Sequence, residues 1–261
     1  MKKCVTVWNY PGDRVENAYK FHSLGFEAVS WLGGEFIQLS EAEDERLVTM
    51  LKETGMLFTV HSRLPDPAKP ESCEAFLKEI ERAAAWQDKY GLLYSYTFDF
   101  WFDVQGTLPY LKKMLDAFRG KSTIIACEDI PLNKRQLDEM SKFLSPKDKF
   151  GILLDLGHMN MRQRCIELIE PEDFIAAIEA LPLPIIEVHV HDNMSYKDEH
   201  MYLGYGTLPL NAIITGLKKK NFDGFVTMEI VRREEWSLEQ TFQYPVDGHN
   251  RFFSCWNEQK V

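Results

Sequence analysis

Along the chain, short runs rich in β-branched and aromatic residues alternate with longer runs whose apolar residues recur at helical spacing. The short runs predict eight strands: Cys4–Trp8, Ala28–Leu32, Leu57–His61, Leu92–Phe98, Thr123–Glu128, Gly151–Asp155, Ile185–His189 and Gly224–Glu229. The longer runs predict helices over Glu41–Glu53, Glu71–Lys89, Leu108–Phe118, Lys134–Phe143, Glu172–Leu181 and Leu210–Lys219. Ser40, with Glu43 three residues later, has the spacing of a capping box. Ile152-Leu153-Leu154 and Ile185-Ile186 are unbroken apolar runs, as in strands buried on both faces, which implies parallel strands covered by helices. Eight such βα units without a Pro/Gly/Ser-rich linker, in 261 residues, predict an α/β fold, a single (β/α)8 TIM barrel over residues 1–261, with a doubly wound open sheet as the alternative. Residues 236–261 hold a last helix and a tail whose Phe252, Phe253 and Trp256 pack on the barrel or on the partner subunit of a homo-oligomer.

Composition narrows the function classes. With 45% hydrophobic and 27% charged residues the chain is globular. Forty acidic against thirty basic side chains leave a formal net charge of −10. That balance argues against nucleic acid as a partner, because such surfaces draw most of their affinity from excess Lys and Arg. The longest uncharged stretch, Met201–Leu217, contains Gly204, Gly206, Pro209 and Gly216 and is too short and too broken to span a bilayer, so no membrane partner is expected. Lys2 and Lys3 precede only a strand-length apolar run, which reads as a strand and not a signal peptide. Five scattered cysteines without CxxC spacing fit reduced thiols, and together these features predict a cytoplasmic protein.

In a barrel of this kind the functional groups sit at the C-terminal ends of the strands. There the sequence places His61 (strand three), Glu128 (strand five), Asp155 and His158 (strand six), His189 with His191 and Asp192 (strand seven) and Glu229 (strand eight). Any one of these alone reads as a surface or hydrogen-bonded group. Several carboxylates at one mouth, however, would repel each other unless a cation held them. Glu128, Asp155, His189 and Glu229 offer three oxygens and one nitrogen, suited to Mn²⁺, Zn²⁺, Co²⁺ or Mg²⁺, one ion per chain. Strand parity turns Glu187, His189 and His191 to one side; spacing prefers His189 over His191 as the ligand and puts Glu187 deeper. Trp8, Trp31, Phe98, Trp101 and Phe102 could stack on a sugar or fill the core, and Arg63 and Arg232 could clamp an oxyanion or pair on the surface.

The set Glu128, Asp155-x-x-His158, His189-x-His191-Asp192, Asp198-x-His200, Gly204-x-Gly206 and Glu229 resembles the xylose-isomerase-like TIM barrel superfamily, which includes sugar phosphate isomerases and epimerases, inosose dehydratases and a class of AP endonucleases. The resemblance implies a metal quartet at Glu128, Asp155, His189 and Glu229 and substrate contacts from His61 and His158. In the DNA-repair relatives, positions matching His61, His158, Asp198 and His200 bind two more zinc ions, but the strand-four histidine of those enzymes is replaced here by Tyr96-Thr97-Phe98-Asp99. The implied activity is a metal-dependent isomerase or epimerase of a small sugar or sugar phosphate, with Glu128 and Glu229 as the proton-transfer pair. Trp8, Arg63, Asp198 and His200 are expected around the substrate. The alternatives are an inosose-type dehydratase, a phosphodiesterase of the AP endonuclease type, and a sugar-binding barrel without catalysis.

Overall fold

A computed structural model describes the chain except for residues 100–103, 129–137, 139–140, 143, 146 and 260–261. Eight parallel strands close into a barrel in sequence order: β1 (Lys2–Thr6), β2 (Ala28–Leu32), β3 (Leu57–Arg63), β4 (Leu93–Asp99), β5 (Ile124–Glu128), β6 (Phe150–Asp155), β7 (Ile185–Val190) and β8 (Phe225–Met228). The described helices are α1 (Arg14–Ser23), α2 (Gly33–Phe36), α3 (Glu41–Thr54), α4 (Pro70–Tyr90), α5 (Val104–Phe118), α6 (Leu156–Met159), α7 (Pro171–Glu179), α8 (Leu210–Lys219) and α9 (Leu238–Glu258). Most of the predicted helix Lys134–Phe143, all but Asp138, Ser141 and Lys142, lies outside the described residues, as do Trp101 and Phe102.

Local chemistry sets many of the boundaries. Ser40 and Glu43 form a reciprocal capping box at the start of α3, and Gly55, with φ 69°, ends that helix in the left-handed conformation glycine takes without strain. Helix α1 was not foreseen, because only Val15, Ala18 and Phe21 form its apolar stripe; Asp13 caps it by accepting from the backbone N–H groups of Val15 and Glu16. Strand β1 ends at Thr6, two residues before its predicted end, which leaves Trp8 in the following turn.

The barrel divides the core in two. Outside the sheet, a large apolar shell joins strands to helices, and Trp31 and Phe98 belong to it, fully packed against Phe58 and Phe150. Inside, the floor is a small plug of Cys4, Ala28 and Phe225, with Leu57 against it. Above it lie buried hydroxyls that satisfy one another or nearby carbonyls, among them Ser95 on Thr59 (2.8 Å) and Thr6 on the Met228 carbonyl (3.3 Å). Glu187 lies within this layer, and the other charged side chains of the barrel interior stand above it. The described cysteines are all free thiols, and among the described residues no helix is long and apolar enough to cross a membrane.

Candidate metal centre and active site

The C-terminal mouth holds a cavity of about 120 Å³ lined by Trp8, Leu32, His61, Arg63, Asp99, Glu128, His158, Arg164, Asp198, His200 and Glu229. Asp155 and His189 sit close by, each buried. The structure therefore brings together His61, Glu128, Asp155, His158, His189, Asp198, His200 and Glu229 with Trp8 and Arg63, whereas Arg232 is exposed away from the cavity and Trp31 and Phe98 pack in the outer core.

Four of them converge around His189. Its Nδ1 lies 3.0 Å from Glu229 Oε2, 3.8 Å from Glu128 Oε2 and 4.0 Å from Asp155 Oδ2. Glu128, Asp155 and His189 can each offer one ligand atom within 4.8 Å of the others. Three buried carboxylates at such range cost several kcal/mol without a compensating charge, so the donor set itself fits a divalent cation. In the isolated chain the histidines take that part. Burial pushes the Glu229 carboxyl up, but the charges of His189 and His200 outweigh it and bring its pKa down to about 2. Burial likewise pushes His200 down, yet Glu229 and Asp198 raise it to about 9.

His191, the competing candidate on β7, is also fully buried and donates from Nε2 to Asp155 at 3.1 Å. It can thus fix the orientation of Asp155, whereas the ring nitrogen of His189 faces all three carboxylates. Gly157 makes room for His191, since a Cβ at that position would overlap the imidazole. Asp155 also caps α6 by accepting from the backbone N–H of His158 at 2.7 Å.

His158 spans two parts of the site, with Nδ1 3.3 Å from Glu128 Oε1 and Nε2 3.0 Å from Asp198 Oδ2. His200 stands 3.2 Å from Asp198 and donates through Nδ1 to the Glu229 carbonyl, 2.9 Å away. Its φ of 46° is left-handed, a conformation uncommon for non-glycine residues and concentrated at functional sites. Asp192 organises the loop that carries this pair: its carboxylate accepts from the N–H groups of Asn193, Gly204 and Leu208. Gly206 is required there because a Cβ would enter the Asn193 backbone.

On the other side, His61 Nε2 lies 3.0 Å from Asp99 and 3.4 Å from Glu128, while Nδ1 meets Thr97 Oγ1 at 2.8 Å. Trp8 stacks on His61 with ring centroids 5.8 Å apart and planes 13° from parallel. Arg63 reaches Asp99 at 3.2 Å with most of its side chain exposed. Asp99 was not singled out from the sequence except as the residue standing near a missing histidine. Its position at the last residue of β4 was the available signal. Among the described residues three further groups can converge on an ion: Asp155–His191–Glu229, His61–Asp99–Glu128 and His158–His191–Asp198–His200.

A closed eightfold barrel whose strand ends carry this quartet defines a class, and the family comparison agrees: the chain belongs to the xylose isomerase-like TIM barrel family, whose profile matches residues 19–245. An uncharacterized protein of Methanocaldococcus jannaschii is 31% identical over 98 residues, a match that takes in 38% of this chain and only 31% of that curated relative's length. Among solved structures, a D-tagatose 3-epimerase-like protein superposes with a TM-score of 0.76 at 19% identity over 99% of both chains. D-psicose 3-epimerase, crystallised in the presence of D-fructose, gives 0.75 at 15% identity over 98% of this chain and 99% of that one. A xylose isomerase-like barrel protein from Mycobacterium smegmatis in complex with magnesium gives 0.61 at 14% identity, over 93% and 89% of the two chains. At these identities the likeness is one of fold.

Proposed function

We propose that the protein is a divalent-metal-dependent isomerase or epimerase acting on a small sugar or sugar phosphate. The observation that carries this reading is the convergence of Glu128, Asp155 and Glu229 on Nδ1 of His189 at the edge of a cavity sized for a small molecule. The sugar epimerases with the same fold and the magnesium held by the mycobacterial barrel support it.

Glu128, Asp155, His189 and Glu229 would hold the cation. When bound, such an ion supplies Lewis acidity that polarises a carbonyl and stabilises an enediolate. Glu128 and Glu229 reach the site from β5 and β8, three strands apart around the barrel, so they can address a substrate carbon from two directions. One takes the proton next to the carbonyl and the other returns it, which inverts a centre or moves the carbonyl. His158 and Asp198 hold the substrate hydroxyls, His200 orders the loop over them, and the Trp8–His61 stack gives an apolar wall. Arg63, exposed at the rim, is placed for a phosphate or carboxylate on a longer substrate.

A second reading, metal-assisted hydrolysis of a phosphodiester, is favoured by one feature, the His158–His191–Asp198–His200 group. Against it stand the net charge of −10 and Asp99 where the nuclease pattern has a histidine. The test is to strip the protein with chelator, reload it with Mn²⁺, Mg²⁺, Co²⁺ or Zn²⁺, and offer ketoses and aldoses with and without phosphate. Conversion that appears with metal and vanishes with chelator is expected. Cleavage of an abasic-site duplex with no sugar conversion would favour the second reading.

A further inference from the structure

Glu187 lies one layer below the quartet, on β7, opposite Leu153 of β6 and Phe225 of β8. Its side chain is entirely buried. Thr227 Oγ1 donates to its Oε1 at 2.5 Å, and Oε2 finds no hydrogen-bond partner among the described residues. A carboxylate in that position is expensive to keep, since the layer around it is otherwise hydroxyls and a small apolar plug. A methionine or leucine would fill the same space without the charge.

What Glu187 faces is the imidazole of His189. Glu187 Oε1 is 3.6 Å from His189 Nε2, a small ring tilt beyond hydrogen-bond range, while the opposite nitrogen, Nδ1, faces Glu229, Glu128 and Asp155. An imidazole bound to a metal through one nitrogen carries its proton on the other, and the group accepting that proton fixes both tautomer and ring orientation. We propose that Glu187 is the positioning residue for His189, holding the Nε2–H so that the Nδ1 lone pair points at the cation. The inference rests on the metal centre proposed above. Thr227 completes the chain from the β8 strand to the ligand, because its hydroxyl occupies Glu187 Oε1 and limits rotation of the carboxylate.

The test uses the whole chain, metal-stripped, in parent, Glu187→Gln and Glu187→Met forms, with Mn²⁺ affinity as the first readout. Loss of such an outer partner typically weakens metal binding roughly 10–100-fold, and that loss is expected for Glu187→Met. Glu187→Gln should bind severalfold more weakly than the parent yet better than Glu187→Met, because its amide oxygen can still accept the Nε2–H. The metal-free thermal midpoint should stay level or rise in both, which a merely structural role for Glu187 would not produce. As a second readout, long-range ¹H–¹⁵N spectra of the Zn²⁺-loaded, histidine-labelled parent should show His189 protonated on Nε2. Affinities of both variants within about twofold of the parent, or a proton on Nδ1, would overturn the inference. Should Glu187→Met not fold, the same threshold applied to Glu187→Gln decides. A parent that binds neither ion would defeat the metal centre itself, a result distinct from a parent that binds and variants that bind equally well.

Discussion

Replacing Gly157 by alanine probes the packing that holds Asp155 without touching a charged group. A Cβ built on Gly157 lies 2.5 Å from His191 Nε2 and nearer still to two other ring atoms, whereas real Cβ contacts stay above about 3.0 Å. The nearest ring atom of His191 falls about an ångström inside that limit, so the ring must move by about as much. It is fully buried and donates to Asp155, so the strain passes directly to a proposed metal ligand. Overpacking of this kind costs about 1–3 kcal/mol. Gly157 sits in α6 with an ordinary negative φ, so alanine recovers roughly 0.5–1 kcal/mol of backbone entropy and propensity. The net loss is about 0–2.5 kcal/mol, a fall in Tm of up to roughly 10 °C for a domain of this size, and relative to a glycine-to-alanine change without the clash it is the full ~1–3 kcal/mol. Gly34→Ala is the control: it is also helical, nothing lies within 4 Å of its built Cβ, and its Tm should hold or rise. Differential scanning calorimetry with and without Mn²⁺ measures both. A Gly157→Ala protein as stable as Gly34→Ala, with parental Mn²⁺ affinity, would refute the argument that His191 and Asp155 are held by close packing at this glycine.

Glu128→Gln and Glu229→Gln should each lower turnover about 10²–10⁴-fold with little change in substrate affinity, read from steady-state kinetics on the first sugar found to react. An unchanged rate in either would move the base elsewhere, with His158 next. Elemental analysis should give one tightly held divalent ion per chain, with any ion at His158, Asp198 and His200 lost on brief dialysis; two or more retained zinc ions would contradict this. Adding Mn²⁺ to the stripped protein should raise Tm as the logarithm of free metal above its dissociation constant, and chelator should reverse the rise. Burial pushes the His249 imidazole down to about 3, with Lys3 adding to the effect and a hydrogen bond to the Cys4 carbonyl opposing it. The unfolded chain takes up that proton near pH 6.5 and the folded chain near 3, so stability is lost as pH falls through this window. His249→Gln, less stable at neutral pH, should show a flatter acid limb in urea titrations.

Much of this was legible in the sequence because period and position coincide in a barrel. Strand β2 has the predicted limits, and β5 and β6 start one residue from theirs and share the predicted ends. Buried parallel strands read as unbroken apolar runs, and the polar residues that interrupt them fall at the C-terminal ends. Helix α8 matches residue for residue, since its apolar positions are dense and Pro209 marks the entry. Helix α1 was missed where the apolar stripe is thin and half its turns face solvent. The meeting of Asp99 with His61 and Glu128 is a property of strand register, which joins β3, β4 and β5 side by side and leaves no trace in spacing along the chain. Glu187 was placed deeper than His189 by parity alone, but its partner Thr227 comes from β8, forty residues on.

The most direct test of the central claim is solvent deuterium uptake. The Mn²⁺-loaded protein is incubated in deuterated water with ketoses and aldoses, free and phosphorylated, and the sugars are read by NMR and mass spectrometry. Proton abstraction by Glu128 or Glu229 next to a carbonyl predicts deuterium at that one carbon of at least one sugar, with none after chelation and far less in Glu229→Gln. A protein that holds its metal and binds a sugar, yet leaves every carbon of the panel unlabelled and unconverted, would contradict the account.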